Sequence, residues 1–280
     1  MTSKKSTVLL LFFLLVSIVP SKAQMERERA RVVEPVETFW TPTLVSQATT
    51  EQLEGGNLNV TIMHSFGIAT TRPIQNFFGL DNIQNVRLGI DIGLSDKWSV
   101  GIGRSSLFNV VDLRTKYALL RQNTNGEVPL SISLKGDLGI ITQENRQPFE
   151  DDISTLVSAI VSKKLNEQLR LQLSPMYGHF STVAAGNVNN LFAVGMGAQI
   201  NLSERYSLIT EYYPVLGDKN PDTNNAFSLG LNIQTGGHVF QMFFTSTRWH
   251  LEQYVMAQNR EQFWAGDFRF GFNVNRIFGL

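Results

Sequence analysis

From residue 57 onward the chain alternates apolar and polar residues with a period of two, the mark of a strand with one greasy and one polar face. Leu58, Val60 and Ile62 alternate with Asn59 and Thr61. Val86, Leu88, Ile90, Ile92 and Leu94 alternate with Arg87, Gly89, Asp91 and Gly93. The pattern returns around Val100, Leu113, Leu134, Leu171, Met196, Leu229 and Phe270. Three runs read less cleanly, at about 154–164, 206–213 and 238–246, and with them the pattern predicts about twelve antiparallel strands. A soluble sandwich also alternates. Here, however, one face is almost continuously Leu, Ile, Val and Phe, more apolar bulk than the interior of a single barrel of that girth needs. The expected fold is therefore all-β, a transmembrane antiparallel up-and-down barrel whose apolar face meets lipid.

The connections support that reading. Every second one is tight, at 95–97, 166–167, 203–205 and 235–237, with one longer link at 122–128. Those between are mostly long, after Phe66, at 142–153, at 178–189 and after Ser246, while 107–110 is short against the trend. Short periplasmic turns alternating with long outer loops are what an outer-membrane barrel shows. Trp98 and Tyr206 next to tight turns, and Phe66, Tyr177, Tyr212, Phe227 and Phe268 toward the long loops, fit an aromatic girdle at each interface.

The first residues change the picture of location. Lys4 and Lys5 precede an apolar run at 8–19 and small residues at Ser21 and Ala23, the parts of a secretory signal with cleavage expected between Ala23 and Gln24. A helix of that length covers about 18 Å, short of a hydrocarbon core of about 30 Å. Three domains are expected: a signal peptide at 1–23, a periplasmic leader or plug at 24–56, and an outer-membrane barrel at 57–280. The chain has no cysteine, so neither a lipidated cysteine nor a disulfide is available. Lys and Arg number 24, as do Asp and Glu, and losing Lys4, Lys5 and Lys22 with the signal leaves a slight acidic excess. That balance argues against a nucleic-acid partner.

Several stretches resemble a known family. Thr38-Phe39-Trp40, Glu54-Gly55-Gly56-Asn57-Leu58, His64-Ser65-Phe66-Gly67, Phe77-Phe78-Gly79-Leu80-Asp81 and Val100-Gly101-Ile102-Gly103-Arg104-Ser105-Ser106 look like an uncharacterised β-barrel family of Bacteroidota. The ending from Phe270 to Phe278 resembles that family's last strand, although Gly279 and Leu280 follow the aromatic that usually closes such a barrel. The resemblance spans the mature chain and implies a membrane barrel in a diderm bacterium, with no activity attached.

Candidate chemistry is sparse. His64, His179, His238 and His250 have no second ligand at metal spacing, though His64 and His179 near outer strand ends could share a site. His179 and Ser181 flank Phe180, but no Ser–His nucleophile pair emerges along a strand. No cofactor is expected. The charged polar face is the suggestive feature: Arg87, Asp91, Arg114, Lys116, Lys135, Asp137, Arg170, Glu211, Asp267 and Arg269 are candidates to line the lumen, either an aqueous path or a set of closed ion pairs. Arg104 falls on the lipid side and calls for a bulge or an interfacial position. Residues 247–265 carry Leu251, Tyr254 and Val255 at helical spacing and read as a helix capping the mouth, with residues 74–80 as an apolar patch that could pack on it. The reading is a non-enzymatic barrel, a narrow channel for small solutes or a structural, partner-anchoring element. Its partners would be outer-membrane lipid, the barrel-assembly machinery, and a small solute or periplasmic protein. Two alternatives are a membrane-embedded enzyme acting on lipid or another envelope substrate, and a periplasmic carrier of an apolar ligand.

Overall fold

The computed structural model describes residues 34–145 and 147–279. The expected signal segment and its cleavage point lie outside the described residues. Strands β1 (Asn57–Ile68), β2 (Ile83–Ser95), β3 (Trp98–Ser105), β4 (Val111–Leu120), β5 (Ser131–Ile140), β6 (Ile153–Lys164), β7 (Leu169–Phe180), β8 (Asn190–Asn201) and β9 (Tyr206–Tyr213) form one antiparallel meander. A two-residue strand β10 (Val215–Leu216) pairs back on β8, and β11 (Ala226–Thr235), β12 (His238–Thr245) and β13 (Arg269–Gly279) complete the sheet. Pairing of β13 with β1 and of β11 with β9 makes the sheet continuous, and pairing of β8 with β9 closes a twelve-stranded barrel, with β10 an addition on β8. Among the described residues the closed ring of twelve strands leaves no free edge, the condition a β-structure must meet in hydrocarbon.

The direction of the pleat decides what surrounds the wall. Leu88 is 57 % exposed whereas its neighbour Arg87 is 0 % exposed, and Leu134 at 46 % adjoins Ser133 at 0 %. The apolar row points outward and the polar row inward, the reverse of a water-soluble barrel. Arg104 also points outward, but in unbroken register with Leu88 and Val111, one residue before β3 ends. Its position is therefore interfacial, with no bulge.

The inner face is not polar throughout. Leu156, Ile160, Ile209 and Phe243 point inward from β6, β9 and β12 and are buried. Leu156, Ile209 and Phe243 meet two inserted segments. Residues 34–56 precede β1; Pro35 bridges Asn123 at the short-turn end, where Val36 donates its N–H to Gln122 O at 2.7 Å. Residues 38–53 then run inside the barrel, turning back where Thr43 bridges Ala48, with Phe39, Leu44 and Val45 packed on Ile209 and Phe243. The link between β4 and β5 is longer than the other turns at this end, and it is the one that holds the incoming chain.

The second insert comes from the opposite end. The connection from β12 to β13 carries helix α1 (Glu252–Gln258), whose residues from Glu252 to Ala257 are buried and which packs against β6, β7 and β8. The spacing of Leu251, Tyr254 and Val255 gave the helix correctly, and it closes the long-loop mouth from just inside the wall, where these side chains join Leu156, Met176, Phe180, Leu191 and Tyr213 in one cluster. Residues 74–80 do not pack on that helix. Ile74, Phe77 and Phe78 stay exposed, and Phe78 with Leu80 borders a groove on the outer surface beside Phe244 and Phe270.

Candidate functional site

The charged residues of the lumen concentrate on one wall, β2 to β5. Arg87 donates Nε to Asp112 Oδ1 at 3.0 Å and Nη2 to Oδ2 at 2.6 Å, a two-pronged pair out of reach of water. Arg114 lies 2.8 Å from Asp91 and 3.4 Å from Asp112, so the four groups form a chain of alternating sign. Register explains why they can meet. Asp91 faces Gly101, which faces Arg114, and Asp112 faces Gly103, so the two glycines leave open the trough the side chains cross. A Cβ at Gly101 would strike the Asp91 carboxylate, and one at Gly103 the Arg87 guanidinium.

The remaining charges tie the inserts down. Lys135 pairs with both Asp137 and Glu252, the latter carried by α1. Lys116 donates to the carbonyls of Thr49 and Glu51 on the first insert. Glu211 accepts from Ser46 Oγ at 2.6 Å, Ser46 N at 3.0 Å, Gln47 N at 2.9 Å and Ser228 Oγ at 3.2 Å, and so caps the tip of that insert. Arg269 pairs with Glu261 at 2.6 Å, and Arg170 donates to Glu167 O at 2.7 Å near the short turns. Of the ten candidate residues, Asp267 alone is misplaced by alternation: β13 begins at Arg269, and Asp267 sits half-buried in the preceding turn, near Gln262 N. The physical reason is that residues 263–268 turn over the rim, where Phe263, Trp264 and Phe268 pack on one another, before the chain enters the wall.

Burial acts on the groups that the inserts bring in. It pushes the Glu51 carboxyl up to about 7, with Glu37 nearby raising it further, although Thr38 N and Phe39 N donate to it at 3.0 and 3.4 Å. Glu252 is likewise raised by burial, against the pull of Lys135. His250 is lowered to about 3, by burial first and by Arg87 second. Ser46, Gln47, Glu51 and Glu252 were not singled out by the sequence, and His250 was considered only as a metal ligand; the inserts engage the wall through these residues.

Little free space remains. A chamber of about 50 Å³, room for a few waters, lies between the inserts and the charged wall, bordered by Asp91, Arg114, Lys116, Lys135, Asp137, His250 and Glu252. Pro42 and Leu53 border it as well, and both also line a recess of about 510 Å³ toward the short-turn end. His64 and His179 do not come together, since β1 and β7 stand on opposite walls. Among the described residues one serine–histidine contact exists, Ser65 Oγ to His250 Nε2 at 3.0 Å. It lacks the properties of a nucleophile and base: Ser65 is fully buried, its hydroxyl donates to Arg248 O, and an imidazole lowered to about 3 is too weak to take a proton at neutral pH. Among the described residues no group of three or more His, Asp or Glu side chains could hold a metal ion.

Comparison with known proteins agrees with this geometry. The profile of a family described as "Membrane bound beta barrel domain (DUF5777)" matches residues 39–278, so it takes in the first insert as well as the strands. Among solved structures, the KdgM porin superposes with a TM-score of 0.51 at 9 % identity, over 78 % of this chain and 98 % of that one. The NanC porin gives 0.49 at 8 % identity, over 80 % and 99 %. At this identity the likeness to the KdgM porin is one of fold. Among curated proteins none matches the sequence.

Proposed function

The chain belongs to the membrane-bound β-barrel family whose profile it matches, and from that premise we propose that it is a non-enzymatic outer-membrane barrel acting as a narrow, gated conduit for small hydrophilic solutes. The carrying observation is the asymmetry of the lumen. The inserts are anchored by apolar contacts on β6 to β9 and β12, and the chamber lies against the charged wall of β2 to β5, bordered by residues shared with the recess. In this reading the short-turn end faces the periplasm, the recess is the mouth, and the path follows the charged seam. Opposite charges are in near balance along the seam, whereas among the described residues the mouth is lined by more acidic than basic side chains and would draw in cations. At rest the path is shut where Lys135 holds Glu252 and where Lys116 holds the carbonyls of Thr49 and Glu51. The apolar row on the outer surface does not suit a soluble carrier of apolar ligands, and the Ser65–His250 pair gives no support to an enzyme.

The experiment is a planar-bilayer recording of folded protein. Wild type is expected to rest closed with brief openings. Phe39→Ala combined with Leu44→Ala removes the apolar anchor of the first insert, each change costing about 2–5 kcal/mol, and is expected to lengthen the openings. A silent record from both proteins would remove the conduit and leave a structural or partner-anchoring barrel.

A further inference from the structure

Arg104 is a cation on the wall that meets lipid. It is exposed, and its neighbours in register are Leu88 on β2 and Val111 on β4, both on the outward apolar row. No carboxylate among the described residues pairs with it. An arginine on the lipid face of a barrel is costly at the midplane and tolerated toward an interface, where an anionic group can reach it. The wall is shaped to bring that interface to Arg104. β2 runs on past Leu88 to Ile83, whereas β3 ends at Ser105, the residue after Arg104, and β4 begins again at Val111. The wall is thus shorter at β3 and β4 than at β2 beside them, which gives a role to the short connection at 107–110.

Arg104 also borders a groove of about 450 Å³ on the outer wall, together with Ile62, Leu88, Ile90, Ile102 and Val111. On β12 and β13 the outward side chains include the rings of Phe240, Phe244 and Phe270. Across β1 to β3 they are shorter and aliphatic, and the surface falls away into the groove. Such a floor takes a flexible hydrocarbon chain, and a guanidinium at its border takes a phosphate through paired N–H donors. A lipid with an anionic phosphate headgroup carries both parts.

We propose that Arg104 and this groove form a binding site for one such lipid, its phosphate on the guanidinium and one acyl chain along Leu88, Ile90 and Ile102. The site lies on the outer wall and stands whether or not the lumen conducts.

The chain has no cysteine, so a fluorophore can be placed by Leu113→Cys, at the residue paired with Ile102 beside the groove, or by Leu229→Cys on β11, across the ring. Both positions are exposed on the outer wall. The folded full chain is reconstituted in phosphatidylcholine vesicles holding graded fractions of brominated phosphatidic acid, and quenching is followed. At the first position phosphatidic acid is expected to outcompete phosphatidylcholine about fivefold, and at the second not at all. Arg104→Gln should abolish that preference, Leu88→Trp, which fills the groove, should reduce it, and excess inorganic phosphate should leave it in place. Equal preference at the two positions, a preference that survives either substitution, or displacement by inorganic phosphate would each overturn the proposal. So would a first position that brominated lipid cannot quench, the result expected if a second copy of the chain covered the groove.

Discussion

Replacing Lys135 with Met keeps the aliphatic stem and removes the cation that Asp137 and Glu252 share. Both carboxylates are buried, at 6 % and 2 % exposure, so water cannot take over from the ammonium group. Breaking a buried pair from one side costs about 3–5 kcal/mol. The helix that carries Glu252 is also held by Leu251, Val255 and Met256, together worth about 5–9 kcal/mol, before the rings of Trp249 and Tyr254 are counted. The apolar anchor is the larger quantity, so the helix stays seated and the strain is relieved by protonation. Burial already raises Glu252, and without Lys135 it rises further. An acid whose pKa is higher in the folded state than in the unfolded one loses stability as pH climbs from its unfolded value through its folded value. The variant should therefore unfold at a clearly lower temperature than wild type at pH 8 and recover much of the difference at pH 5.5, followed by circular dichroism in detergent. Adding Glu252→Gln should restore part of the loss at pH 8. A variant as stable as wild type at pH 8, or a double variant no better than the single one, would refute the reasoning.

Gly103→Ala should lower the unfolding temperature through about 1–3 kcal/mol of overpacking against Arg87, whereas Gly136→Ala, whose added Cβ would meet only Thr115 Cγ2 at 3.6 Å, should be near neutral in the same melt. Glu51, raised to about 7 in the folded state, should make the first insert dock less tightly as pH rises from about 4.5 through 7, by at most about 3 kcal/mol. Hydrogen exchange of residues 38–53, corrected for its intrinsic pH dependence, should show that loosening in wild type and not in Glu51→Gln. Because the chain has no cysteine, single cysteines at Leu134 and Ser133 can carry fluorophores directly. Brominated lipid should quench the first and spare the second, and equal quenching would contradict the outward orientation of the apolar row.

Much of the barrel was legible because a wall between lipid and a polar lumen forces period two on every strand that crosses it. Leu88 beside Arg87 and Leu134 beside Ser133 announce their faces without any tertiary knowledge. The irregular stretches held a second message. The runs at 154–164, 206–213 and 238–246 read poorly because Leu156, Ile160, Ile209, Tyr213 and Phe243 put apolar groups on the inner face, and all of these but Ile160 pack in the clusters where the inserts dock. Broken alternation was thus a sign of something inside the barrel. The inserts themselves were harder to read. Residues 38–53 have no period, since a segment surrounded by wall on all sides has no solvent face to set one. Helix α1 shows its apolar spacing, but Glu252 beside that stripe gains its meaning from Lys135 and from Ala48 N on the first insert, both far away in sequence. Asp267 misled because alternation cannot show where a strand begins.

The account depends on the first insert occupying the lumen and moving when the path opens. The Thr50 and Ser162 hydroxyls touch across the gap between that insert and β6, and both are buried. Cysteines at these two positions should therefore bond to each other on oxidation. Bilayer recordings of Thr50→Cys with Ser162→Cys, before and after a reducing agent is added to the same membrane, should be closed while the bond holds and show openings once it is cut. Identical records in the two states, silent or conducting, would contradict the account.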